Sequence, residues 1–115
     1  MNIKRIEVGP RMSQAVVHGD TVYVAGQVAQ NPVPSVEKQT RQVLAQIDKV
    51  LKQAGSSKAK LLKANIWLSD IRCFDEMNKV WDSWVSQGNT PARATVEARL
   101  AGPQYLVEIM VTAAM

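Results

Sequence analysis

The sequence predicts a single α+β domain, a mixed β-sheet with two amphipathic helices packed on one of its faces. Three observations predict it. The 115 residues fall within the usual size of one domain, and no Pro-, Gly- or Ser-rich stretch divides them, so residues 1–115 read as one unit. Hydrophobic periodicity switches several times between about 2 and about 3.6 residues along the chain. Each stretch of helical period carries one apolar stripe, so each helix has one face to bury against a sheet.

Taken in order, Ile3 to Val8 is a short first strand. Val16-Val17-His18 and Thr21 to Ala25 are β-rich runs on either side of Gly19-Asp20, a pair suited to the positive φ angles of a tight hairpin turn. After Pro32 and Pro34, Ser35 is placed to cap a helix in which Val36, Val43, Leu44, Ile47, Val50, Leu51 and Ala54 recur at helical spacing, with Gly55 as C-cap. Leu62 to Leu68 alternates, which predicts Leu62, Ala64, Ile66 and Leu68 on one side of a strand. Asp70 then offers a cap for a second helix with Phe74, Met77, Trp81, Trp84 and Val85 as its stripe and Gly88 as its end. Two further strands follow, Arg93 to Leu100 and Leu106 to Ala113, joined by the turn material Ala101-Gly102-Pro103-Gln104. Both helices must lie on one side of the sheet. The other side needs a different cover, which favours association with further copies of the chain.

Composition narrows the function. Fourteen Lys and Arg against ten Asp and Glu give a net charge of +4, but the positive residues are scattered. The nearest cluster, Lys58, Lys60 and Lys63, lacks the dense stripe and interleaved aromatics of a nucleic-acid binder, so a nucleic-acid partner is disfavoured. Cys73 is the only cysteine, which excludes an internal disulfide and a cysteine-based zinc site and fits a reducing compartment. Lys4, Arg5 and Glu7 interrupt the first ten residues where a signal peptide needs an apolar run, and no segment is apolar enough to span a bilayer. A cytoplasmic protein is expected. No Gly-rich phosphate loop, metal-ligand cluster or nucleophile elbow is present.

The last two strands carry the sharpest chemical signal. Alternation sorts Arg93, Thr95, Glu97 and Arg99 to one face and Ala94, Val96, Ala98 and Leu100 to the other. In the next strand Leu106, Glu108, Met110 and Thr112 oppose the apolar Val107, Ile109 and Val111, and both Arg93 and Glu108 are expected on faces away from the core. A carboxylate in so hydrophobic a strand needs a partner. One reading is a structural ion pair between Arg93 and Glu108, the commoner fate of such residues. In the other, the planar fork of Arg93 binds a small carboxylate while Glu108 orients or deprotonates a water. Periodicity leaves both open. His18, without a second histidine or a nucleophile dyad, reads as an exposed strand residue, and Cys73 as a partly buried, inert thiol. Trp67, Trp81 and Trp84 are candidates to line a pocket, although Trp81 and Trp84 fall on a helix stripe and read as core.

The segment Pro91-Ala92-Arg93-Ala94-Thr95-Val96-Glu97-Ala98-Arg99-Leu100, followed by Leu106-Val107-Glu108-Ile109, resembles the signature end of the RidA (YjgF) family. The likeness extends over nearly the whole chain, through Gly9-Pro10, Gly26-Gln27, the Gln46-to-Gly55 helix end and Asn78. The resemblance implies a chorismate-mutase-like fold and a barrel-like homotrimer with helices outside. It further implies clefts between subunits that hydrolyse reactive 2-imino and enamine acids, such as 2-iminopropanoate and 2-iminobutanoate, to 2-keto acids and ammonia without a cofactor or metal. By the same resemblance Arg93 holds the substrate carboxylate and Glu108 positions the attacking water, while Gly26, Asn78, Ala94 and Thr95 complete the pocket. Three features depart from the family pattern and bear on substrate choice: Arg11 in place of an aromatic, Ala25 in place of a serine, and a short Gln27-to-Val36 connection; Met110, in place of a charged residue, makes its face less polar. Arg11 is therefore either a further candidate substrate contact, favouring a more acidic or larger substrate, or a surface residue with no role, the reading slightly preferred. Two other functions stand beside the deaminase: a non-catalytic, carboxylate-binding or chaperone-like trimer, and an RNA-cleaving translation inhibitor.

Overall fold

The computed structural model describes residues 1–115. Six strands and two helices follow in the order β1 (Ile3–Val8), β2 (Ser13–His18), β3 (Thr21–Val24), α1 (Val36–Ala54), β4 (Leu61–Leu68), α2 (Phe74–Trp84), β5 (Ala92–Glu97) and β6 (Val107–Ala114). They form one mixed sheet of order β1-β2-β3-β6-β4-β5, antiparallel throughout except for the parallel pair β4 and β5. Parallel neighbours cannot be joined by a tight turn, so the chain crosses over through α2 between them.

Local chemistry sets most boundaries. Gly19 supplies a φ of 62° in the β2–β3 turn, where a side chain would be strained. The Ser35 hydroxyl accepts the Lys38 N–H at 3.1 Å and caps α1, and Gly55 ends it in the left-handed region at φ 87°. All seven expected stripe residues of α1 are buried. They pack with Met77, Val80 and Trp81 of α2 over one sheet face, built from Val22, Val24, Ala64, Ile66, Leu68, Val107, Ile109, Val111 and Ala113. The opposite face has no covering layer. No helix is long and apolar enough to cross a membrane.

Four expectations are corrected. Leu62 is not on the core side but 51 % exposed, because a bulge between Leu61 and Lys63 shifts the register and turns Leu61 inward instead. Helix α2 stops at Trp84 rather than Gly88: Val85 takes an extended conformation that buries its side chain, and Gly88, at φ 84°, serves the turn beyond. Within α2 the buried stripe is Met77, Val80 and Trp81, while Phe74 at the first turn is exposed and Trp84 is half-buried. Strand β5 ends at Glu97, because its partner β4 ends at Leu68; Ala98 makes one last bond to the Leu68 carbonyl at 2.9 Å and residues 99–100 have nothing to pair with.

Candidate functional site

Register decides which residues share a face. In β6, Val111, Ile109 and Val107 lie opposite Ala64, Ile66 and Leu68, and beside those same residues β5 places Arg93, Thr95 and Glu97. Directly paired residues project to the same side of a sheet, so Arg93 and Thr95 point to the helix-covered face. Glu108 pairs with Trp67, which pairs with Val96, so these three occupy the open face. The expectation that Arg93 and Glu108 both avoid the core-facing side is therefore corrected for Arg93, and no ion pair joins the two. The reason lies in the edge position of β5. A helix layer does not reach fully over an edge strand, so polar residues there occupy the covered face at its rim.

Around Arg93 the rim is ordered. Its Nη1 donates to Asn78 Oδ1 at 2.7 Å, and its guanidinium carbon lies 5.3 Å from the Trp81 ring centre and 5.8 Å from that of Phe74. The amide and the two rings hold the guanidinium at the rim. No carboxylate of the chain lies within ion-pairing distance of it. Asn78, expected to complete a ligand pocket, spends its carbonyl oxygen on orienting the arginine. Thr95, two residues along, has a buried hydroxyl with no hydrogen-bond partner. Ala94 is exposed on the open face beside Asn65.

On the open face, Glu108 meets Gly26. After β3 the chain continues along β6, with Gln27 N–H donating to the Ile109 carbonyl at 2.8 Å and Ile109 N–H to the Gln27 carbonyl at 3.1 Å. A Cβ at position 26 would overlap Oε2 of Glu108, so the missing side chain, and not a left-handed backbone, is what lets the carboxylate approach this closely. Ala25 sits next to it, donating to the Gln14 carbonyl at 2.9 Å. Arg11 is exposed in the Gly9–Met12 turn at this same end of the sheet and has no carboxylate partner.

The sequence reading missed a set of glutamines on α1. Gln39, Gln42 and Gln46 each bond to the backbone of the chain between Gln27 and Val33, and Gln39 also reaches the loop before β6. Their i, i+3, i+7 spacing on the border of an apolar stripe was the available signal. Among the residues set aside, His18 is exposed, and burial, with Asp70 and Glu76 nearby, holds the Cys73 thiol above its ordinary pKa. The Trp84 indole donates to Asp48 at 2.9 Å on the outer helical surface. No group of His, Cys, Asp or Glu side chains is arranged to hold a metal ion. The largest concavity of the single chain, about 780 Å³, is bounded by Ser69, residues 97–103 and Tyr105, and neither Arg93 nor Glu108 lines it.

The Endoribonuclease L-PSP family profile matches residues 2–115. The chain belongs to the RidA/YjgF family. It is 45 % identical over 115 residues to the RutC family protein YoaB of Escherichia coli strain K12, covering all of both chains. Its fold is similar to that of NMB1025, a YjgF family member from Neisseria meningitidis, with a TM-score of 0.97 and 47 % identity over 99 % of this chain and 95 % of that one. YyfA of Yersinia pestis, a protein of the Rid family, is similar at TM-score 0.91 and 35 % identity over 99 % of this chain and 100 % of its own. The α+β architecture, with a mixed sheet and two helices, is thus that of the RidA/YjgF family.

Proposed function

We propose that the chain hydrolyses reactive 2-imino acids to 2-keto acids and ammonia at sites completed between copies of itself. The observation that carries this reading is the Arg93 guanidinium, held at the rim by Asn78, Trp81 and Phe74 yet lacking any carboxylate partner. A fork so prepared suits the bidentate capture of a small carboxylate. Glu108 supplies the complementary group. Because the two lie on opposite faces of one sheet, a substrate reaches both only if the β5 rim of one copy meets the open face of another. The exposed Tyr23, Val96 and Met110 on that open face support such an association, and a closed trimer is the arrangement the family resemblance implies.

In the reaction, Arg93 holds the substrate carboxylate so that the imine carbon faces Glu108. The carboxylate of Glu108 takes a proton from a water as its oxygen bonds to that carbon, forming a carbinolamine. The same proton passes to the nitrogen. As the C–N bond breaks, the regenerated Glu108 carboxylate takes the carbinol hydroxyl proton, so that the carbonyl of the 2-keto acid forms and the departing ammonia carries that proton away as ammonium. A protonated imine is already electrophilic, so positioning and one proton shuttle suffice.

The test is keto-acid release from 2-iminopropanoate generated in situ, comparing wild type with Arg93→Ala and Arg93→Lys at matched oligomeric mass. Arg93→Ala is expected to abolish acceleration. Arg93→Lys keeps the charge but loses the fork and one charged hydrogen bond of about 2 kcal/mol, raising KM roughly 30-fold. Wild type that binds small carboxylates without accelerating hydrolysis would replace this reading with a non-catalytic carboxylate binder.

A further inference from the structure

We infer that Gln39 and Gln46 of α1 are positioning residues that hold the Glu108 carboxylate in its place against Gly26 from the far side of the sheet. The inference rests on the proposed role of Glu108 and names what governs it.

Glu108 lies near the start of β6, where the strand emerges from an irregular loop, and Gly26 lies just beyond the end of β3. Sheet pairing sets Glu108 opposite Trp67 and Gln27 opposite Ile109, and a glutamine adds a further anchor beside each. The Gln39 side chain is fully buried, and both of its donor hydrogens and its oxygen are hydrogen-bonded. Its oxygen accepts the Leu106 N–H at 3.0 Å, and its nitrogen donates to the Gln104 carbonyl at 3.0 Å and the Val33 carbonyl at 2.8 Å. One side chain thus clamps the loop two residues before Glu108 to the connection that enters α1. Leu106 is fixed from its other group as well, its carbonyl accepting the Ser69 N–H at 3.1 Å.

Gln46 does the same for the Gly26 side. Its nitrogen donates to the Gln27 side-chain oxygen at 3.2 Å and the Val28 carbonyl at 3.0 Å, and its oxygen accepts the Gln30 N–H at 3.3 Å. Gln27, itself buried, passes the constraint on by donating to Gln14 Oε1 at 2.9 Å and to the Ala25 carbonyl at 3.1 Å. The backbone of Gln27 exchanges two hydrogen bonds with Ile109, the residue after Glu108. Glu108 is therefore bracketed by Leu106 and Ile109, each tied through a glutamine network to the same helix. With no room for a Cβ between Gly26 and Oε2, a small slip of either strand end relative to the other displaces the carboxylate. Gln39 and Gln46 make no hydrogen bond to Arg93, Asn78, Trp81 or Phe74, so they act on water placement and not on carboxylate capture.

The experiment is a double-mutant cycle on the full-length assembled protein with wild type, Gln39→Met, Glu108→Gln and the combined variant, measuring kcat and KM for 2-iminopropanoate hydrolysis. Gln39→Met is expected to lower kcat by about tenfold to hundredfold, the effect of misplacing a reacting group by about an ångström, with KM within about twofold. Glu108→Gln should lower kcat at least about hundredfold. The combined variant should be no slower than Glu108→Gln alone within about twofold, because a residue that acts through Glu108 has nothing left to position. A merely structural loss would multiply instead, and a combined variant tenfold slower than Glu108→Gln overturns the inference. If Gln39→Met does not fold, the same cycle is run with Gln46→Met, on the second anchor. Amide hydrogen exchange at Gln27 and Ile109 reads the placement without activity: faster exchange than in wild type in either glutamine variant is expected, and unchanged exchange in both overturns the inference. A Glu108→Gln variant with wild-type kcat, or a wild type without hydrolysis, overturns the proposed reaction itself and leaves positioning to be decided by exchange.

Discussion

The close approach of Gly26 to Glu108 offers a way to move one carboxylate while leaving the fold in place. In Gly26→Ala the three atoms nearest the new methyl all belong to the Glu108 side chain, the closest being the flexible carboxylate end rather than backbone. The backbone at 26 lies outside the positive-φ region, so alanine is accommodated there and gains about 0.4–1 kcal/mol by restricting the unfolded chain. Against this, swinging Glu108 off its preferred rotamer costs about 0.5–1.5 kcal/mol. The two nearly cancel, so the variant should fold with a net change within about 1 kcal/mol and a Tm within about 8 °C of wild type. To restore ordinary van der Waals separation the carboxylate must retreat by about 1 Å. A reacting group misplaced by that much loses about 10²-fold in rate. The assay is keto-acid release from 2-iminopropanoate, with oligomeric mass and thermal melting as controls. The expected result is a kcat reduced about hundredfold at nearly unchanged KM, because Arg93 is untouched. A folded, assembled Gly26→Ala with kcat within about threefold of wild type would refute the reasoning that Glu108 works from this exact contact.

Three further outcomes follow from other parts of the chain. Removing the α1 cap in Ser35→Ala leaves the Lys38 N–H without its side-chain acceptor and should destabilise the protein by about 1 kcal/mol in urea unfolding, with unchanged slope. Val96→Asp puts a charge on the open face, beside Trp67 and away from both helices, and should yield a folded chain of lower oligomeric mass in sedimentation; unchanged mass would mean that this face is not where copies meet. Burial raises the Cys73 thiol above its ordinary pKa, aided by Asp70 and Glu76, so alkylation by iodoacetamide at neutral pH should be slower in the folded protein than in urea. Since the folded pKa is the higher one, the associated stability is fully present below the unfolded thiol pKa and is lost as pH rises through the folded value, so unfolding free energy should decline on the alkaline side.

Much of the fold was legible because its signals are local. The Gly19-Asp20 turn, the Ser35 and Gly55 caps and the apolar stripe of α1 each depend on residues within a few positions of one another, and each appears in the structure where the sequence puts it. The errors arose where a distant element intervenes. Leu62 obeys alternation until β6 imposes a bulge, and Arg99 and Leu100 look like strand until β4 ends beside them. Phe74 fits the helical stripe, but α2 lies at the rim and turns Val80 inward in its place.

By itself the sequence determined the α+β class, the number and order of elements, and the two residues with the strongest chemical signal, Arg93 and Glu108, since these follow from period, turn chemistry and a charge set in an apolar strand. Only the tertiary structure decided that those two residues face opposite ways, that Asn78 orients Arg93, and that glutamines on a helix tie down the strand ends around Glu108. The physical reason is that alternation defines two faces of a strand without saying which one a helix will cover. That is settled by pairing register between strands far apart in the chain, and at an edge strand the covered face remains open enough to hold an arginine.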